Sequence, residues 1–153
     1  MLKTIVVDDE MPSRDALSNY IRDYCSDLEI VAQCDSVKTA YKAILEFKPG
    51  LVFLDIEMPN GNGFELLKLF QPIGFKVIFV TAYSDYAIKA FRFSATDYLL
   101  KPIKIDELVE AVNKVKIELV TSDSFVNIQM LRDNLPDAPL LRPTVTTRRR
   151  VDG

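Results

Sequence analysis

Five short apolar runs constrain this chain most: residues 2–7, 30–34, 51–54, 77–80 and 98–100, rich in Val, Ile, Leu and Phe. They lack the polar alternation of a strand with one wet face, so they predict parallel strands buried on both sides. Between them the apolar spacing turns helical, with Ala16, Leu17, Tyr20, Ile21 and Tyr24 before the second run and Ala40, Ile44 and Phe47 after it. Strand and helix alternating five times imply an α/β fold, a five-stranded parallel sheet wound on both faces.

The punctuation agrees with that reading. Ser36 and Ser84 are placed to cap helices, Pro49-Gly50 breaks the chain before the third strand, and Gly61-Asn62-Gly63 opens the loop after it. The last helix carries one stripe, Ile105, Leu108, Val109, Val112, Val115 and Leu119, with Asp106, Glu107, Glu110, Lys114 and Glu118 turned to water. Beyond about Leu119 the sequence changes character. Thr121 to Ser124 are polar, a short helix is expected over 128–135, and Pro136, Pro139 and Pro143 follow. We therefore expect one domain over 1–120 and a linker or tail over 121–153, ending in the basic stretch Thr146-Thr147-Arg148-Arg149-Arg150.

Composition removes whole classes of chemistry. The 153 residues suit one soluble domain, and no stretch approaches the length of a membrane-spanning helix, so the cytoplasm is the expected compartment and no membrane is an expected partner. There is no histidine, which excludes Ser-His and Cys-His catalysis and histidine ligation of metals. The two cysteines, Cys25 and Cys34, read as packing residues. The net charge of -3 is unevenly placed, with 18 acidic against 14 basic side chains before residue 121 and 4 against 5 after it, which argues against the folded domain gripping nucleic acid by itself. Chemistry must run on carboxylates, hydroxyls and lysines.

In an open parallel sheet, ligands bind at the carboxyl ends of the strands, where the strand order reverses. The first run ends in Asp8-Asp9-Glu10, the third in Asp55, the fourth in Thr81, and the fifth is followed by Lys101-Pro102. Taken singly, an Asp after a strand is a common turn residue, a Thr there is usually structural and a Lys is usually solvated. All five positions together describe a phosphoryl-transfer layout. Clustered carboxylates are tolerated when a hard divalent cation shares them, and a carboxylate so placed can act as a nucleophile and form an aspartyl phosphate.

At these residues the sequence resembles the response regulator receiver family of two-component systems, through Val6-Val7-Asp8-Asp9-Glu10, Leu54-Asp55-Ile56-Glu57-Met58-Pro59-Asn60-Gly61, Val80-Thr81-Ala82 and Lys101-Pro102. The resemblance covers residues 1 to about 120 and implies a flavodoxin-like fold with strand order 2-1-3-4-5, for which a receiver is a standard example. It implies Asp55 as phosphoacceptor and Mg2+ as cofactor. Asp9 and Asp55 would be direct ligands of the ion, Asp8 would hold one of its waters, and Glu57 would offer its backbone carbonyl. By the same resemblance Thr81 is the switch hydroxyl next to Ala82, and Lys101 pairs with the phosphoryl oxygens. Lys101-Pro102 is the peptide bond usually cis in the family, and Tyr98 is the aromatic that turns inward with Thr81. Glu57 and Tyr83 fall where the family tunes the lifetime of the acyl phosphate. Phe91, Arg92 and Asp97 lie near its usual output face.

The stretch from Ala90 to Pro102 is similar to the subfamily whose output is a LytTR DNA-binding domain. The expected partners are then a sensor histidine kinase, a second copy of the chain on phosphorylation, and DNA only through an output domain that this chain lacks. The expected role is that of a signalling phosphoacceptor that catalyses only its own phosphorylation and dephosphorylation. Competing readings remain: a stand-alone receiver, a phosphorylation-independent docking module, an aspartate-based phosphatase, and a flavin- or nucleotide-binding module. Asp55-Ile56-Glu57 lacks the second aspartate of haloacid-dehalogenase-like phosphatases, and Asp8-Asp9-Glu10 would repel a nucleotide phosphate without a metal.

Overall fold

The computed structural model describes residues 1–134, with side chains through residue 122. Its strands are β1 (Leu2–Val7), β2 (Leu28–Cys34), β3 (Leu51–Leu54), β4 (Lys76–Thr81) and β5 (Asp97–Leu100). Its helices are α1 (Met11–Tyr24), α2 (Val37–Phe47), α3 (Gly63–Lys68), α4 (Ala87–Arg92) and α5 (Ile105–Asn134). All strand pairs are parallel and the order is β2-β1-β3-β4-β5, the flavodoxin-like topology. Contacts divide the chain into a unit Met1–Val115, which holds the whole sheet, and a second beginning at Lys116.

The strand order explains the layering. Crossovers between parallel strands are right-handed, so a connection running one way across the sheet places its helix opposite those running the other way. Only β1 to β2 runs against the rest, which sets α1 on one face and α2, α3 and α4 on the other. Strand residues alternate accordingly. Ile5, Val7, Val52, Leu54, Val77 and Phe79 join one cluster with Ala40, Ile44, Phe64, Leu66, Leu67 and Ala90 from α2, α3 and α4. The intervening Val6, Phe53, Ile78 and Val80 are buried outside it, as are Leu17 and Ile21 of α1 and Leu108 and Val112 of α5.

Several local expectations need correction. The five runs are not all buried on both sides. β2 exposes Glu29 and Gln33, and β5 exposes Leu100, because these two strands form the edges of the sheet. Ser36 caps α2 as expected, accepting from the Thr39 backbone at 3.1 Å. Ser84 caps nothing: it lies inside a 3-10 turn over Ser84–Tyr86 preceded by Tyr83, and α4 starts later. Gly61-Asn62-Gly63 lies in the loop after β3, as expected, and also starts α3, which begins at Gly63 with Asn62 as its N-cap. The Asn62 side chain accepts from the Glu65 backbone at 3.0 Å, and Glu65 returns the bond to the Asn62 N–H at 2.7 Å, a complete capping box.

The expected break after Leu119 does not occur, since α5 runs unbroken to Asn134. No Gly or Pro falls between Ile105 and Asn134, so the polar Thr121 to Ser124 have nothing to stop a helix with. The separate helix over 128–135 is thus part of α5, with Leu135, the three prolines and the basic stretch outside the described residues. Both cysteines are free and buried, and burial pushes the Cys34 thiol up to about 11. Among the described residues no helix is long and apolar enough to cross a membrane.

Candidate functional site

Strand register builds the site. Val7 of β1 is level with Leu54 of β3, and the Asp55 N–H donates to the Val7 carbonyl at 3.0 Å, so the residues after both strands emerge side by side where the order reverses. Thr81 ends β4, and the Lys101 N–H donates to its carbonyl at 2.9 Å, which brings the start of the β5–α5 connection to the same edge. The Lys101-Pro102 peptide is cis.

At that edge the carboxylates of Asp8, Asp9 and Asp55 offer oxygens within 4.8 Å of one another. Asp8 and Asp55 are 4% and 5% exposed, so neither charge is relieved by open water. The Lys101 ammonium stands between them, 2.8 Å from Asp8 and 3.2 Å from Asp55, with Glu10 at 4.0 Å. Burial works against the charge on Lys101, but its bonds to Asp8 and the charge of Asp55 more than offset this and raise its pKa above the ordinary value. Burial also raises Asp55, to about 6, with Asp8 adding to the effect and Lys101 opposing it.

Asp8 is fixed from three sides. Its N–H donates to Cys34 at 3.0 Å, its carboxylate accepts the Glu10 N–H at 2.9 Å, and its carbonyl accepts from the Arg14 guanidinium at 2.6 Å. Arg14 was not among the sequence candidates. The available signal was a cation in the first turn of the helix that follows an acidic triplet.

Thr81 is fully buried, and its hydroxyl accepts the Tyr83 N–H at 3.3 Å. The half-buried Tyr98 donates its hydroxyl to the Tyr83 carbonyl, so the backbone of Tyr83 links Thr81 to Tyr98. Ala82 and Tyr83 are exposed beside them. Glu57 is exposed two residues beyond Asp55, and its carboxylate accepts the Tyr86 hydroxyl, a second contact that sequence spacing does not reveal.

The remaining candidates lie elsewhere. Phe91 is 79% exposed on α4 next to exposed Arg92, with Ile88 and Leu100 also bare. Asp97 differs from them: it accepts from Lys114 at 3.0 Å and from the Tyr98 N–H at 2.8 Å, which ties the start of β5 to α5. Phe91, Asp97, Tyr98 and Lys114 line a shallow cleft.

A stability consequence follows from the Asp55 carboxyl. A carboxyl at about 6 in the fold and 3.8 as its ordinary value contributes stability that is present below about pH 4 and lost as pH rises through 6. Without divalent metal at pH 7.5, Asp55→Asn should therefore be more stable than wild type by about 1–3 kcal/mol, a gain that vanishes near pH 4. Thermal unfolding in chelator at both pH values checks this, and a variant no more stable at pH 7.5 contradicts it.

Three hard oxygen donors with more negative charge than one lysine offsets fit a small divalent cation. Carboxylate, metal-type donors, ammonium and hydroxyl at a strand-order reversal can together accept and hold a phosphoryl group.

Comparison with known proteins points to one family. The profile of the response regulator receiver domain matches residues 4–113. An uncharacterized response regulatory protein of Yersinia pestis is 40% identical over 125 residues, 81% of this chain and 52% of that protein. The sensory transduction protein LytT of Bacillus anthracis is 39% identical over 118 residues, 76% of this chain and 48% of that one. The chain thus spans about half the length of these curated relatives. The crystal structure of a DNA-binding response regulator of the LuxR family from Staphylococcus aureus superposes with a TM-score of 0.69 at 37% identity, covering 75% of this chain and 98% of that one. With the receiver-domain profile matching most of its length, the chain belongs to the response regulator receiver domain family.

Proposed function

We propose that the chain is a phosphoacceptor receiver whose Asp55 takes a phosphoryl group from a phosphohistidine of a sensor histidine kinase. The observation that carries this is the Asp55 carboxylate held within reach of Asp8, Asp9 and Lys101 at the carboxyl edge of the sheet. One carboxylate oxygen of Asp55 attacks phosphorus, and the phosphorus–nitrogen bond of the donor breaks, with its electron pair returning to the imidazole. Asp8, Asp9, Asp55 and the Glu57 carbonyl would hold Mg2+, which when bound offsets the charge gathering on the phosphoryl oxygens. Lys101 moves from the two carboxylates to pair with one of those oxygens, and the Thr81 hydroxyl donates to another. The chain performs only this transfer and the later hydrolysis of its own aspartyl phosphate, as a signalling element rather than a turnover enzyme.

The switch is a population shift. Thr81, drawn to the phosphoryl group, carries the Tyr83 backbone with it, and Tyr98 follows through its bond to the Tyr83 carbonyl. Glu57 and Tyr83, on either side of the group, tune its lifetime. The α4 surface with Phe91 and Arg92, bordered by Asp97, is the output face. Its bare apolar side chains support pairing with a second copy of the chain.

By the resemblance of Ala90 to Pro102 to the LytTR-type subfamily, residues 1–120 would be the receiver, and 121–153 would lead toward a LytTR-like DNA-binding output that controls transcription in the cytoplasm. Saturating the chain with beryllofluoride and Mg2+ should convert it from monomer to dimer in sedimentation velocity. Phe91→Ser should still take up the phosphoryl group yet stay monomeric. A wild type that remains monomeric with the mimic bound removes the dimer from the account.

A further inference from the structure

The bond between Tyr86 and Glu57 joins two segments 29 residues apart, and nothing in the phosphoryl chemistry above uses it. Tyr86 closes the 3-10 turn before α4. Its ring packs on Phe64 at 6.0 Å and edge-on to Tyr83 at 6.5 Å. Phe64 is itself 1% exposed and packs at 5.1 Å on Phe79 and 5.2 Å on Phe93. The Tyr86 hydroxyl is thus carried on a ring braced against the core. Glu57, by contrast, is an exposed side chain in the loop after β3, and the one bond found for its carboxylate among the described residues is the one from Tyr86.

An exposed glutamate next to a reacting carboxylate samples many rotamers unless something holds it. Here a fixed phenol holds it toward the β4–α4 segment. We propose that Tyr86 is a positioning residue that keeps the Glu57 carboxylate from the water attacking the aspartyl phosphate, and so lengthens the life of the phosphorylated state. This deepens the receiver reading and rests on it.

In hydrolysis the water oxygen attacks phosphorus, and the bond from phosphorus to the Asp55 oxygen breaks with its electron pair going to the Asp55 carboxylate. Both water protons leave on the inorganic phosphate. A Glu57 carboxylate freed from Tyr86 can accept a hydrogen bond from that water and orient it in line, which speeds the step. Because Tyr86 sits at the head of α4 and touches Tyr83, the hold on Glu57 also depends on the conformation of the segment that leads to the output face.

The test loads the full chain with acetyl phosphate and Mg2+, removes the donor, and follows loss of the added phosphate by intact mass. Wild type, Tyr86→Phe, Glu57→Ala and the double variant are compared. Tyr86→Phe should shorten the half-life roughly tenfold, the scale of one well-placed hydrogen bond in a transition state. In the Glu57→Ala background the same substitution should change nothing, since there is no carboxylate left to release. A general loosening of the fold would shorten both half-lives alike. A Tyr86→Phe half-life equal to wild type, or an equal effect in both backgrounds, overturns the proposal and leaves the receiver reading standing. A wild type that takes up no phosphate at all overturns both.

Discussion

Replacing Lys101 by alanine should slow phosphoryl uptake by about 10²–10³-fold, the usual effect of removing a preorganised charge from a developing anion. In the resting structure Lys101 bonds to Asp8 and Asp55 at 2.8 and 3.2 Å, so it already lies where the incoming phosphoryl oxygens must arrive. Its raised pKa keeps it charged throughout the neutral range. Without it, two carboxylates that are 4% and 5% exposed face each other and the phosphoryl donor with no protein cation between them. The rate of mass gain from acetyl phosphate at saturating Mg2+, compared between wild type and Lys101→Ala, gives the answer. A variant within threefold of wild type would show that Lys101 is only a structural counter-ion.

The second large effect concerns a residue with no side chain. A Cβ built on Gly63 would lie 2.6 Å from the Asp55 backbone carbonyl and 3.0 Å from the Leu54 side chain. The near atom is backbone at the end of a buried strand, so it cannot swing aside. Moreover, the Gly63 N–H donates to the Ile56 carbonyl at 2.9 Å, which holds the first turn of α3 against the loop after Asp55. Gly63→Ala should cost about 2–3 kcal/mol, on the scale of overpacking a tight core, and lower Tm by roughly 10 °C. The clash falls on Asp55 itself, so phosphoryl uptake should slow even where the variant is fully folded. A Tm within 2 °C of wild type would mean that the loop gives way without resistance.

How much of this was legible in the sequence depends on where the signal lay. Four of the five carboxyl-edge positions follow directly from strand ends, because a strand's last residue is visible as the end of an apolar run. Asp8, Asp55 and Thr81 need nothing more, and Lys101 needs only the short β5 before it. Their meeting required the order 2-1-3-4-5, which residues alone leave open and the family resemblance supplied.

What sequence reading missed depends on contacts between distant segments or on competition between local signals. The edge character of β2 follows from its neighbours in the sheet, not from its own residues. Asn62 between two glycines looks like a loop until Glu65 is seen to return its hydrogen bond. The polar stretch at 121–124 reads as a break, yet without Gly or Pro it leaves α5 intact. Tyr86 on Glu57 depends on side-chain reach across the fold, which no periodicity encodes, whereas Arg14 on the Asp8 carbonyl, six residues away, was signalled only by a cation near the start of the helix after the acidic triplet.

The central claim is that Asp55 is a nucleophile toward phosphorus, and intact mass after incubation with acetyl phosphate and Mg2+ tests it most directly. Wild type should gain the mass of one phosphoryl group, and Asp55→Asn, which keeps the shape of the side chain but not its nucleophilic oxygen pair, should gain none. No added mass on wild type under conditions where Mg2+ binding is demonstrated, or equal gain on both proteins, would contradict the account.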